Sequence, residues 1–187
     1  MPTPRTNARR QMQEAALALF LEKGFEGTTA AEIAARASVT ERTFFRYFAD
    51  KRDVLFDEEE LHTRLGSAVT EAPNKLAPLK VVLWAFQATV PLFEANRPLS
   101  EPSQALIART PALRERQLSK AAAVTTTIAE ALHTRGVEHT LASLTAATGM
   151  AIASHALGQW FSDPTVSLVE RFRDAFGAVE AMSKAPR

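Results

Sequence analysis

Apolar and polar positions along this 187-residue chain recur at spacings of three and four. Nowhere do they sustain the alternation that a half-buried strand requires, and Ala, Leu, Glu and Arg dominate. The pattern predicts an all-α protein of about nine helices. The first covers about residues 6–23, with Met12, Ala16, Leu19 and Phe20 on one face and Gly24 as its C-terminal cap. Thr29 and Glu32 have capping-box spacing, which starts a second helix near Ala30 and carries it to about Arg36. Thr40 caps a third, and Asp50 opens a fourth. Longer helices follow over about residues 79–96, 101–109, 111–135, 138–161 and 165–183. Thr110-Pro111 and Asp163-Pro164 read as cap-then-proline starts, and Gly136 ends the seventh helix. Pro91 falls inside the fifth, where it removes a backbone donor and predicts a kink.

Residues 141–161 contain no Asp, Glu, Lys or Arg and are long enough to cross a bilayer. Their hydroxyls, His155, Gln159 and many alanines argue instead for a helix covered on nearly all sides by protein, so no membrane partner is expected. Val169, Phe172, Phe176 and Val179 form an apolar seam on the last helix. Together with Ala151 and His155 of the preceding helix they are the expected homodimer interface, two helices from each subunit meeting their symmetry mates. The alternative is that both seams close the chain's own core.

Composition adds constraints. Cysteine is absent, which excludes a disulfide framework and a thiolate metal site and fits the cytoplasm. The N-terminus has no apolar run behind its charges and does not read as a secretory signal. Net charge is only +1, with nine Lys/Arg against seven Asp/Glu (+2) in residues 1–53. Arg5, Arg9 and Arg10 precede any acid and form a basic arm of the kind that binds phosphate by charge.

The stretch TERTFFRYF, residues 40–48, carries four aromatics with arginines between them. At about 100° per residue, Phe44 and Phe48 fall with Glu41 on one side, Arg42, Thr43 and Arg46 on the other, and Phe45 and Tyr47 on the flanks. Phe44 and Phe48 are expected to anchor the helix on Leu19, Phe20, Ile33 and Val39, leaving a face rich in donors. A helix of this width fits the DNA major groove, and helix, short turn, exposed second helix is the helix-turn-helix arrangement. A helical hairpin whose arginines only solvate its surface fits the same wheel.

The segment EKGFEGTTAAEIAARASVTERTFFRYFADKRDVLF, residues 22–56, resembles the N-terminal domain of the TetR family of transcriptional regulators. The resemblance rests on Gly24, Phe25, Thr28, Thr29, Ile33, Ala34, Val39, Thr43, Phe48, Lys51 and Leu55 and spans roughly the first 56 residues. It implies a three-helix DNA-binding head at residues 1–52 and a helical ligand-binding and dimerisation domain at 53–187. It places Thr28 and Thr29 at backbone phosphate, Thr40, Glu41, Arg42 and Thr43 near bases or adjoining phosphates, and Tyr47 and Lys51 at the backbone. Two positions depart from the family pattern. Phe45 stands where tyrosine is frequent and so lacks a hydroxyl for phosphate. Ser38 occupies a turn position where glycine is usual, at a cost of about 1 kcal/mol if its backbone is left-handed.

Proteins that resemble this one are homodimeric receptors in which a small molecule in the C-terminal core changes the spacing of two DNA-reading heads. The implied function is a ligand-responsive repressor acting on a palindromic operator in double-stranded DNA. The fourth helix is the expected lever between core and head. Trp84, Phe86, Phe93, Met150 and Trp160 offer bulk for an effector, and His62, Gln87, Gln104, Gln117 and His155 offer polar anchors; no buried acid–base grouping calls for a charged ligand, so an apolar or aromatic effector is expected. The rival reading keeps DNA binding but has no effector, as in an architectural or cell-cycle protein. No catalytic grouping is found: the four histidines lack HExxH spacing, there is no phosphate loop or nucleophile elbow, and DEEEL (57–61) fans around a helix. No cofactor or metal is expected.

Overall fold

The computed structural model describes residues 4–56 and 59–184. Among them are nine helices and no strand: α1 (Pro4–Lys23), α2 (Ala30–Arg36), α3 (Glu41–Tyr47), α4 (Glu59–Glu71), α5 (Pro78–Ala88), α6 (Val90–Arg109), α7 (Pro111–Thr134), α8 (His139–Ser162) and α9 (Leu168–Lys184). The all-α expectation holds. The described residues divide into two compact units, those of Met1–Asp57 with Asn96–Ser119 and those of Glu58–Ala95 with Lys120–Arg187.

Several ends follow directly from their residues. Gly24 takes φ +82° and its N–H bonds Phe20 O at 3.1 Å, closing α1. Ser38 is left-handed at φ +55°, the strained conformation that its place in the turn implied. The N–H of Ser38 bonds Ala35 O and that of Val39 bonds Ala34 O, the paired bonds of a Schellman end. Gly136 (φ +88°) ends α7 in the same way, with Val137 N–H on Leu132 O.

Four expectations are corrected. The segment from Asp50 is not helical: residues 51–55 form turns, the Asp50 carboxylate accepts from Arg52 N at 2.6 Å, and the described part of α4 spans Glu59–Glu71. Pro91 breaks rather than kinks. α5 stops at Ala88, the Thr89 hydroxyl bonds Phe86 O at 2.8 Å, and Thr89 O accepts from Leu92 and Phe93, so Pro91 sits in the first turn of α6, where its missing donor costs nothing. α6 then runs unbroken through Pro98 and Pro102 instead of starting near residue 101. α9 begins at Leu168. Asp163 caps the end of α8, and a Ser167–Glu170 capping box starts α9, the Ser167 hydroxyl donating to Glu170 at 2.6 Å.

In the first unit one core joins Met12, Leu19, Phe20, Phe25, Ile33, Phe44, Phe48 and Val54 to Leu99, Leu106, Ile107 and Leu113. The expected division after residue 52 has no counterpart for these last four, because the head's core draws in part of α6 and the start of α7. Arg116 makes an ion pair with the nearly buried Asp53 within the same unit, and Arg10 reaches Glu14 (2.8 Å) and Asn96 (3.3 Å). The second unit packs Leu65, Val69, Val82, Phe86, Ile128, Leu132, Ile152, Trp160, Phe172 and Phe176 into one core. The Arg135 guanidinium ties down the end of α4, donating to the carbonyls of Thr70, Ala72 and Pro73.

α5 and α8 approach closely at Gly149, where an added Cβ would meet Val82 Cγ1 at 2.4 Å. Gly149→Ala should therefore destabilise the protein by about 1–3 kcal/mol through overpacking, read as a lower urea midpoint. Gly177→Ala, with nothing within 4 Å of its Cβ, should be neutral or slightly stabilising.

Candidate nucleic-acid interface

α2 and α3 are too short to persist alone, so each needs a cap and a buried anchor. At α2 the Thr29 and Glu32 side chains cap each other's backbone N–H, and Ile33 and Ala34 are buried. Glu32 also binds Lys23, which together with Thr29 lowers its carboxyl from the ordinary 4.5 to about 2. At α3 the Thr40 hydroxyl accepts from Thr43 N at 3.1 Å. Phe44 and Phe48 are buried with ring centroids 5.3 Å apart, and the Arg9 guanidinium lies 4.8 Å over Phe48. Arg9 and Arg10 of the expected basic arm sit on α1 and contact their own chain; the Arg5 side chain lies outside the described residues.

The exposed face differs from the wheel at Glu41, Thr43 and Phe45. Glu41, Arg42 and Arg46 are exposed, but Thr43 is half-buried, while Phe45 is 51% exposed with its ring edge-on to Phe44. Neighbouring cations are neutralised: Arg36 forks onto Glu22 at 2.6 Å, Lys23 pairs with Glu32, and Arg52 pairs with Asp50 at 2.6 Å. These pairings hold the Glu22 and Asp50 carboxyls below their usual range. Among the described residues Arg42 and Arg46 make no ion pair, although Arg46 lies 5.2 Å over the Tyr47 ring. Arg46 was readable from the helical wheel as an exposed cation, yet it is missing from the positions that the resemblance carried over.

Two expected phosphate contacts turn inward. Thr28 is 1% exposed and its hydroxyl donates to Gly24 O at 2.8 Å. The Lys51 ammonium donates to Phe25 O (2.9 Å) and Thr28 O (3.0 Å) and lies 4.3 Å over the Phe25 ring. Both secure the turn entering α2. Thr29, Thr40, Glu41 and Arg42 remain exposed, with Thr43 and Tyr47 half-buried beside them.

Elsewhere the expected residues are scattered. Gln104, which donates to Ser100 O, and Gln117 belong to the first unit. His62, Gln87 and Phe93 are half-buried in the second, while Trp84 is 45% exposed on α5. Burial, then the charge of Lys120, lowers the His62 pKa. His155 is exposed and lines a shallow cleft of about 350 Å³ between α8 and α9, beside Ala151, Ala175 and Val179. The α9 seam needs correction. Phe172 and Phe176 are 0% and 1% exposed because they pack into the chain's own core, Phe172 stacking on Phe86 at 5.5 Å. Val169 and Val179 are half-buried against the same core. α8 is also not enclosed on nearly all sides: Leu141, Leu144 and Ala147 are exposed, Leu144 at 62%.

A short second helix, capped at its start, anchored by aromatics and presenting uncommitted arginines, defines a helix-turn-helix DNA-binding regulator. Residues 13–57 match the family described as bacterial regulatory proteins, tetR family, and residues 76–184, more than half of the chain, match the MftR C-terminal domain. The chain belongs to the TetR family of transcriptional regulators. Over 83 residues it is 37% identical to the HTH-type transcriptional regulator TcmR of Streptomyces glaucescens, covering 44% of this chain and 37% of TcmR, so it spans little more than a third of that relative. Over 181 residues it is 24% identical to MftR of Mycobacterium tuberculosis, named for mycofactocin biosynthesis regulation, covering 95% and 91% of the two chains. Among solved structures, a TetR-family regulator from Syntrophomonas wolfei aligns with TM-score 0.67 at 20% identity over 96% of each chain. Thermus thermophilus FadR, a TetR-family repressor solved with lauroyl-CoA, aligns with TM-score 0.54 at 26% identity over 89% of this chain and 90% of its own.

The capping network has a pH signature. Because the folded-state pKa of Glu32 lies below its ordinary value, its contribution is complete above pH 4.5 and is lost as pH falls from 4.5 toward 2. Glu32→Gln should flatten the decline of unfolding free energy across that window, measured by urea titrations at a series of pH values.

Proposed function

We propose that this TetR-family regulator is a ligand-responsive repressor that binds a palindromic operator as a homodimer, from which a small apolar or aromatic effector releases it. Its site of action is the cytoplasm. The observation that carries the reading is the pair Arg42 and Arg46, uncommitted on the exposed face of α3 while the cations around them are paired. In this reading α3 enters the major groove, Arg42 bonds a guanine edge, and Thr29, Thr40 and Tyr47 stand at the backbone. Two copies reach successive grooves about 34 Å apart.

Dimerisation is supported by the open face of α8. Leu141, Leu144, Ala147, Thr148 and Ala151 are exposed on a helix with no charged side chain between residues 141 and 161, a surface suited to a second copy. The exposed residues Ala151 and His155 stay in this interface, whereas Phe172 and Phe176 leave it. An effector with an apolar portion is supported by the lauroyl-CoA held by T. thermophilus FadR, whose acyl chain is apolar although its coenzyme A part is anionic, and acyl-CoA is the first class to test. Such a ligand acts by binding more tightly to the conformation whose heads no longer match the operator.

Selection of bound duplexes from a random library should return a palindrome, and acyl-CoA or an aromatic ligand should release the protein from it. An operator affinity unmoved by every core-binding ligand would leave a DNA-binding protein without an effector. Arg42→Ala should cost about 1–3 kcal/mol on the selected site and far less on random DNA. Leu144→Glu should convert the dimer to monomer in sedimentation and weaken operator binding; an intact dimer would move the interface off this face of α8.

A further inference from the structure

We propose that Phe45 reads the C5-methyl group of a thymine, so that one operator position is recognised by an apolar contact without a hydrogen bond. This rests on α3 entering the major groove. The exposed residues of α3 are Glu41, Arg42, Phe45 and Arg46; Arg42 and Arg46 lie opposite the buried Phe44 and Phe48, and Phe45 lies on the flank beside them. Phe45 therefore borders the face that carries the two uncommitted arginines, one helical turn from Arg42 and next to Arg46 in the chain. Its ring stands edge-on to Phe44, with centroids 5.4 Å apart and planes at 89°. Because Phe44 is fully buried, it supplies Phe45 with a rigid seat.

A phenyl ring has neither donor nor acceptor, so no phosphate oxygen rewards it. On the major-groove edges of the bases, the thymine methyl is the apolar group that distinguishes one pair from the others. Thr43 is the one methyl-bearing side chain of α3, but it is half-buried and its hydroxyl lies 3.0 Å from that of Thr40. Arg46 lies over Tyr47 rather than over Phe45. A half-exposed phenylalanine elsewhere on a surface would need no account. Beside two cations that approach DNA, it is desolvated whenever the complex forms.

The test uses the full-length protein and the duplex recovered by selection, resynthesised with each thymine replaced singly by uracil, which removes only the methyl. At one thymine position the swap should weaken binding about fourfold, the affinity equivalent of one buried methyl group. Phe45→Ala should bind the thymine and uracil duplexes alike. Phe45→Tyr keeps the ring and should keep the difference, which preserves the test if the alanine variant melts early. Equal affinity of the wild type across every swap overturns the proposal, as does an undiminished difference in Phe45→Ala. A selection that returns no common sequence overturns it together with the placement of α3 in the groove.

Discussion

A seven-residue helix has too few internal hydrogen bonds to survive in water, so α3 exists because Phe44 and Phe48 are buried. Their rings lock against each other and join a core with Phe20 and Ile33. That burial fixes the rotation of α3 about its own axis. Rotation in turn decides which side chains meet DNA, because a shift of one residue would carry Arg42 toward the core and bring an aromatic out. Thr40 completes the arrangement by satisfying Thr43 N–H at the point where the chain leaves the turn.

Around this helix, polar groups divide into those spent inside the head and those left for a partner. Lys51 and Thr28 look like phosphate ligands by position, yet both bond carbonyls of the turn before α2. The Lys23–Glu32, Arg36–Glu22 and Arg52–Asp50 pairs neutralise local charge and lower the carboxyl pKa of each acid partner. Such pairs are exposed and contribute little stability. Their consequence for recognition is larger: positive charge free to meet phosphate or guanine is concentrated on α3.

Most of the helical layout was legible in the sequence because caps are local. Thr29 with Glu32, Thr40, Gly24 and Gly136 each act through neighbours a few residues away, and Phe44 and Phe48 were assigned to the core by periodicity alone. The α9 start was legible as well, in Ser167 and Glu170, but Asp163-Pro164 offered a competing signal earlier in the chain. What stayed hidden depends on distant partners. Whether Lys51 faces water or Phe25 O is not written near Lys51. Phe172 and Phe176 had the spacing of an interface seam, and only the position of Phe86 reveals that the seam is filled from within. The same holds for Leu99, Leu106, Ile107 and Leu113, whose burial with the head cannot be read from their own helices.

Those four residues bear on modularity. A DNA-reading cassette cut after the resemblance ends would leave the head's core without Leu99, Leu106, Ile107 and Leu113 and would strand Asp53 without Arg116. Grafting this head onto another regulator therefore demands that the segment around Asn96–Ser119 travel with it, two stretches of sequence separated by almost forty residues inherited as one part.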